Sequence, residues 1–223
     1  MFEFIEKIAN SRPQANHGIE QFLMTPASLL LQIEKTANLF KDKKILFLGD
    51  DDHFSIILAN YVKTAKISVL EYDTRIISNQ QALKVELNLL NHSIVEYDAT
   101  NPLDKSILTY NDYDYFIVNP PYGSKNELYG SKVWISRCLE VLKVGGKGLV
   151  ILPVDFKYQW SIENMKFLQQ FLLDNNCAVY EIERNLHNYF DVNDKGLMSS
   201  NIWVTKLSES HNLINEIDKN LYR

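Results

Sequence analysis

Cysteine is nearly missing from this chain: Cys138 and Cys177 are the only two among 223 residues, far apart and in no Cys-x-x-Cys or Cys/His pattern. That excludes a disulfide scaffold and leaves reduced, buried thiols in a cytoplasmic protein as the expectation. Eight glycines and six prolines are too few for long linkers or a collagen-like or low-complexity chain. No apolar run approaches the roughly 18 residues of a membrane span, so no membrane association is expected. The opening residues Met1 to Lys7 carry early acids and no small-residue cleavage site, which excludes a secretion signal there. Positive charge is also short. The chain has 23 Lys and Arg against 28 Asp and Glu, a net charge of −5, which argues against the broad basic face of a sequence-blind duplex binder but not against a local basic groove. None of the five histidines falls in metal-ligand spacing, and no metal is expected.

What is present is a folded-protein composition, 46% hydrophobic and 23% charged, at a length that suits one domain with a helical lead-in. Short apolar runs at 45–49, 67–71, 93–98, 113–119, 148–153, 178–183 and 201–206 read as seven strands. Stretches at 76–90, 134–142 and 162–173 carry apolar residues at helical spacing. Strands alternating with helices predict an α/β fold with a doubly wound, mostly parallel seven-stranded sheet. Residues 1–40 are expected as the helical lead-in, 41–207 as the Rossmann-like domain and 208–223 as a closing helix. In such sheets ligands bind beyond the carboxyl ends of the strands.

Those ends carry polar residues in register. The first strand runs into Gly49-Asp50-Asp51-Asp52-His53-Phe54-Ser55, the second ends in Glu71-Tyr72, the third in Asp98-Ala99 and the fourth in Asn119-Pro120-Pro121-Tyr122. A glycine turn ahead of a helix lets a ligand approach the backbone. An acid ending the second strand suits ribose hydroxyls, and Asp98 suits an adenine amino group. Thr25-Pro26 reads as an N-cap followed by a first-turn proline. Together these residues resemble the cofactor site of the class I S-adenosylmethionine-dependent transferases, over 44–206. The resemblance implies S-adenosylmethionine held by Thr25, Gly49, Asp50, Asp51, Asp52, Ser55, Glu71, Tyr72, Asp98 and Ala99, and a seventh strand inserted antiparallel beside the fifth. One departure is that Asp51 stands where that family usually has the second glycine of Gly-x-Gly.

Asn119-Pro120-Pro121-Tyr122 resembles the Asp/Asn-Pro-Pro-Tyr motif of methyltransferases acting on exocyclic amino groups of adenine or cytosine. The resemblance implies that the Asn119 side-chain oxygen and the Pro120 carbonyl accept the two amine hydrogens, aiming the nitrogen lone pair at the methyl sulfonium, while Tyr122 stacks on an extruded base. A second resemblance is to the catalytic domain of the branched-chain polyamine synthases. It rests on Arg12-Pro13, Gln21, Thr25, the Gly49-Asp-Asp-Asp-x-x-Ser55 run and the segment from Glu183 to Tyr189. It implies an aminopropyltransferase using decarboxylated S-adenosylmethionine, whose cationic amine the three aspartates attract. That family has an acidic Asp-Pro-Pro-Glu type of loop where this chain has Asn119-Pro-Pro-Tyr122, and the neutral loop favours a flat, neutral ring. The expectation is therefore an S-adenosylmethionine-dependent N-methyltransferase acting on adenine N6 in DNA or RNA, with aminopropyl transfer as the alternative and a non-catalytic binding module as the third reading. Sequence choice on a nucleic acid would come from loops 125–131 and 155–161 or from a partner subunit, and the cations Lys125, Lys132, Arg137, Lys143 and Lys147 would flank a phosphate path or form a solvated face.

Overall fold

The apolar residues of the first and fourth strands alternate in destination, and that alternation builds the molecule. In a computed structural model, which describes residues 1–104, 112–122, 127–190, 197–217 and 221, Ile45 and Phe47 of β1 (Lys44–Leu48) join one core with Tyr115 and Ile117 of β4 (Tyr113–Val118). Leu46, Leu48, Phe116 and Val118 join a second core on the opposite face. A period of two with both faces apolar is the pattern of strands covered on both sides. The first core is closed by α1 (Phe2–Ser11), α2 (Pro26–Thr36) and α3 (Phe54–Tyr61), through residues such as Ile5, Ile33 and Ile57. The second is closed by α5 (Tyr129–Val141) and α6 (Gln159–Asp174), through residues such as Val133 and Leu168.

Between these elements run β2 (Lys66–Glu71), α4 (Thr74–Glu86), β3 (His92–Glu96), β5 (Leu142–Pro153), β6 (Cys177–His187) and β7 (Ser199–Lys206). The sheet order is β3-β2-β1-β4-β5-β7-β6. β1 to β5 are parallel neighbours, and β7 lies antiparallel between β5 and β6, as the transferase resemblance implies. Leu48 stands level with Leu70 and with Val118, so the chain leaves β1, β2 and β4 along a single edge. That edge holds the site.

Several elements differ from expectation: α5 begins at Tyr129 rather than 134 and β5 at Leu142 rather than 148, and two further differences have a visible cause. α4 stops at Glu86 rather than 90, because Asn88 takes a left-handed conformation (φ 49°) and turns the chain. Among the described residues of the tail, 208–217, no helix forms. Its backbone groups are bonded outward rather than within a helical turn. The Ile214 N–H donates to Ser136 Oγ at 3.0 Å, the Ile214 carbonyl accepts from Arg137 Nη1 at 2.9 Å, and the Asn212 N–H donates to Asn175 Oδ1 at 3.0 Å.

Gly148 in β5 faces the Phe116 ring, and a Cβ there would lie 2.0 Å from Phe116 Cζ. Gly148→Ala is expected to cost about 3 kcal/mol through overpacking, lowering Tm by about 5–10 °C. An unchanged melting curve by circular dichroism would contradict that packing.

Candidate active site

β1 leaves the sheet through Gly49, whose φ of +71° is a left-handed conformation and whose missing Cβ makes room for the Trp134 ring 2.7 Å from where it would stand. The turn is tied to β2 at two points: the Gly49 N–H donates to the Leu70 carbonyl at 2.8 Å, and the Asp50 N–H donates to Glu71 Oε2 at 2.8 Å. Glu71 Oε1 also accepts from the Tyr72 and Asp73 N–H groups at 2.8 and 2.9 Å. Three of the roughly four acceptor positions of this buried carboxylate are thus used to shape the loop, leaving one for a ligand. Burial pushes its pKa up, against the lowering effect of those backbone donors.

The three aspartates have three different tasks. Asp50 accepts from the Phe54 and Ser55 N–H groups at 2.9 and 3.1 Å and from Gln80 Nε2 at 2.8 Å, so it caps α3. Burial raises its pKa to about 8. Asp52 Oδ1 accepts from Arg12 Nη1 at 2.9 Å and from the Met24 N–H at 2.7 Å, fastening the N-terminal lead-in to the loop. Burial lifts Asp52 to about 6 against the pull of Arg12. Asp51 is half-buried, faces the cleft and accepts no hydrogen bond among the described residues. Burial, followed by the charges of Asp52, Glu71 and Asp50, pushes its pKa well up, and Arg12 offsets only part of this.

Ile19, Glu20, Gln21, Gly49, Asp50, Asp51, Glu71, Tyr72, Asn119, Pro121 and Trp134 line the cleft above this loop. A second chamber joins it at Asn119 and Glu20, walled by Phe22, Pro120, Tyr122, Pro153, Tyr189, Leu197 and Met198. The Asn119 side chain has no hydrogen-bond partner among the described residues and borders both spaces. Tyr122 is stacked on Trp160 with centroids 6.1 Å apart and an interplanar angle of 19°, so one face of its ring is already covered. Trp160 in turn stacks on Tyr158.

The edge therefore brings together Gly49, Asp50, Asp51, Glu71, Tyr72 and the Asn119–Tyr122 run. It does not bring in five other expected residues, of which Asp52, held by Arg12 and the Met24 N–H, lines neither space. Ser55 is fully buried behind the loop, paired with His92 Nε2 at 2.9 Å. Thr25 caps α2, where its hydroxyl accepts from the Ser28 N–H at 3.3 Å, and lines neither space. Asp98 accepts from the Thr100 N–H at 2.9 Å, and Ala99 is buried with its carbonyl bonded to Arg137; neither lines the cleft or the chamber. Among the described residues the cation cluster forms no path toward the cleft. Arg137 is fully buried and paired with Glu140, Lys143 pairs with Asp114, and Lys132 and Lys147 lie over the rings of Phe167 and Tyr180. Lys125 and Asn126 lie outside the described residues, and the rest of the expected recognition loop 125–131 is not an open loop: Leu128 to Ser131 are buried where α5 begins.

Glu20 is the residue that sequence reasoning missed. It follows the short 3-10 turn His17–Ile19 in a left-handed conformation (φ 58°), and its Oε2 accepts from the Tyr122 N–H at 3.2 Å. The neighbouring Arg12-Pro13 and Gln21 mark the segment, but no motif singles out Glu20. Among the described residues no His, Cys, Asp and Glu cluster has the arrangement of a metal site, and no helix is long and apolar enough to cross a membrane.

The family model of the branched-chain polyamine synthase A C-terminal domain matches residues 1–219. The chain belongs to that family. An N(4)-bis(aminopropyl)spermidine synthase of Methanocaldococcus jannaschii is 28% identical over 193 residues, covering 85% of this chain and 53% of the relative. One from Thermococcus kodakarensis is 24% identical over 192 residues, covering 85% of this chain and 52% of the relative. The chain thus spans about half the length of these curated relatives. The branched-chain polyamine synthase of Thermus thermophilus, solved with N4-aminopropylspermidine and 5'-methylthioadenosine, superposes with a TM-score of 0.82 at 22% identity, covering 100% of this chain and 68% of that one.

Family membership corrects the expectation of an adenine N6 methyltransferase with a nucleic-acid substrate and a recognition partner subunit: the relatives are polyamine synthases. The physical reasons lie in the site. Tyr122 is stacked on Trp160, the expected basic path is buried or paired, and carboxylates dominate the cleft.

Proposed function

We propose that this chain transfers an aminopropyl group from decarboxylated S-adenosylmethionine to an amine nitrogen of a polyamine. One observation carries the reading: four carboxylates, Glu20, Asp50, Asp51 and Glu71, line the cleft, with no Lys, Arg or His among the described lining residues. A donor that keeps its methionine carboxylate would set a further acidic group among these carboxylates without a cationic partner. The decarboxylated donor brings positive charge only, as does a polyamine.

When bound, the donor supplies a sulfonium whose aminopropyl carbon is open to displacement. A nitrogen–carbon bond forms, the carbon–sulfur bond breaks with its electron pair going to sulfur, and one proton must leave the nitrogen. The left-handed turn at Gly49 lets the donor approach the backbone, and the remaining acceptor position of Glu71 suits its ribose. Asn119 Oδ1 and the Pro120 carbonyl are the acceptors for the N–H groups of the attacking amine, at the boundary of the two spaces, so that its lone pair points into the cleft. Asp51, free of partners among the described residues and raised in pKa, attracts the cationic substrates and takes the departing proton more readily than an ordinary aspartate. A cytoplasmic setting fits the two unpaired buried thiols.

Calorimetric titration with intact and decarboxylated S-adenosylmethionine tests the charge argument. An unpaired carboxylate among like charges costs about 1–3 kcal/mol, so the decarboxylated form is expected to bind about 10–100-fold more tightly. Equal or tighter binding of the intact form would sink the reading.

A further inference from the structure

Behind the chamber wall, a chain of buried and half-buried side chains runs from Glu183 on β6 to Tyr189, and every link has a fixed direction. Glu183 is an ionised carboxylate. Burial alone would raise its pKa, but hydrogen bonds from Lys35, Asn201 and Trp203 hold it below the usual range. Its Oε2 accepts from Trp203 Nε1 at 3.1 Å and from Asn201 Nδ2 at 3.0 Å. An ionised carboxylate only accepts, so Asn201 must present its NH2 to Glu183. The second hydrogen of that NH2 goes to Gln32 Oε1 at 3.0 Å, which fixes the Gln32 amide with its oxygen toward the next link.

That link is His187, whose Nε2 lies 2.8 Å from the same Gln32 oxygen. Because the amide oxygen only accepts, Nε2 carries the hydrogen. Burial lowers the pKa of His187 to about 4, so the ring is neutral near pH 7 and Nδ1 has a lone pair. Ser199 Oγ, 2.9 Å away, donates to it. The Ser199 hydroxyl has then spent its one hydrogen, and the 2.6 Å contact with the Tyr189 hydroxyl must be donated by the tyrosine. Buried Gln32 Nε2 and Asn201 Oδ1 are left without partners, a cost that this one-way arrangement carries. Tyr189, which lines the same chamber as Asn119 and Pro120, is thereby left with oxygen lone pairs and no hydrogen for the chamber.

We infer that Tyr189 is a substrate-positioning group, its hydroxyl held by the Glu183–Ser199 chain as a hydrogen-bond acceptor for an N–H of the acceptor amine. The inference rests on the aminopropyl reading and adds to it a third acceptor beside Asn119 and Pro120. A tyrosine free to rotate would also donate into the chamber and there repel an ammonium N–H. The chain from Glu183 removes that choice.

The test is calorimetric binding of spermidine to the whole protein saturated with 5'-methylthioadenosine, for wild type, Tyr189→Phe, Ser199→Ala and the double variant. Tyr189→Phe keeps the ring and is expected to weaken spermidine binding about tenfold, with 5'-methylthioadenosine affinity unchanged. Ser199→Ala frees the hydroxyl to rotate and should weaken binding about threefold. The double variant should be no weaker than Tyr189→Phe alone, because Ser199 acts only through the tyrosine. Spermidine binding by Tyr189→Phe as tight as wild type, or losses that add in the double variant, would overturn the inference and leave the aminopropyl reading standing. If Tyr189→Phe fails to fold, undiminished binding by Ser199→Ala overturns it equally. Failure of the wild-type protein to bind spermidine would overturn the aminopropyl reading, and the inference with it.

Discussion

Asp51→Asn is expected to lower aminopropyl transfer by about 100–1000-fold, the loss typical of removing one preorganised charged group from a reacting centre, and at the same time to raise the melting temperature of the ligand-free protein. Both effects come from the same crowding. Asp51 stands half-buried among Asp50, Asp52 and Glu71, so ionising it costs stability while preparing the cleft for cations. Removing the charge should return about 1 kcal/mol, or roughly 2–4 °C in Tm at pH 8. The sign of the pH dependence follows from the same groups. Asp50 is raised to about 8 in the folded protein from an ordinary 3.8. Between those values the folded state binds more protons than the unfolded, and stability falls as pH rises. His53, His92 and His187, lowered to about 4 by burial from an ordinary 6.5, act in the opposite direction, and that effect fades about one pH unit above 6.5. Only from about pH 7.5 upward, where an unfolded histidine holds few protons, do the carboxylates act alone, and between about pH 7.5 and 8.5 wild-type Tm should drop, with a shallower drop in Asp51→Asn. A Tm that climbs across this window, or an Asp51→Asn enzyme of wild-type activity, would contradict this assignment.

Arg12→Met should do the reverse and destabilise the protein by about 3–5 kcal/mol, the usual result of leaving one partner of a buried ion pair behind. The Arg12 and Asp52 side chains are 1% and 7% exposed and 2.9 Å apart. Arg12 also donates to the Met24 carbonyl at 2.9 Å and to the Ala9 carbonyl at 2.8 Å, so it joins α1, the segment bearing Glu20 and Gln21, and the aspartate loop. Without the guanidinium, Asp52 would protonate more readily still. The stability gap to wild type should thus be smaller at pH 5.5 than at pH 8, where the lone carboxylate must ionise. The double variant Arg12→Met with Asp52→Asn should recover part of the loss, since it removes the stranded charge. A gap that is independent of pH, with no recovery in the double variant, would mean that Arg12 acts through its packing rather than through Asp52.

Much of this edge is legible in the sequence because strands buried on both faces are written as unbroken apolar runs. β1, β2 and β4 are found within a residue of their ends, and the loops that follow them carry Gly49, Glu71 and Asn119. The meaning of Asn119-Pro120-Pro121-Tyr122 is not legible in the same way. Four residues that suit a flat base also suit an aliphatic amine, and the choice depends on what Tyr122 touches. Trp160, on a different element, covers one face of its ring, and Glu20 holds its N–H. Glu20 stays hidden, and Tyr189 is marked only as the end of the family-like segment from Glu183, for a related reason. A left-handed residue after a three-residue turn places the first, and an isolated antiparallel bridge between Met24 and Tyr189 places the second. No local spacing announces either. The aspartate run is legible as an acidic cluster, but only the hydrogen bonds to Phe54, Ser55, Arg12 and Met24 separate the cap and the anchor from the one carboxylate left to a ligand.

The most direct measurement is mass spectrometry of the products formed when the purified protein is incubated with spermidine and either decarboxylated or intact S-adenosylmethionine. With the decarboxylated donor, an aminopropylated spermidine should accumulate in step with 5'-methylthioadenosine. With the intact donor, neither spermidine nor an adenine-containing oligonucleotide should gain a methyl group. Methylation of the oligonucleotide from the intact donor, with no aminopropylated product from the decarboxylated one, would contradict aminopropyl transfer outright.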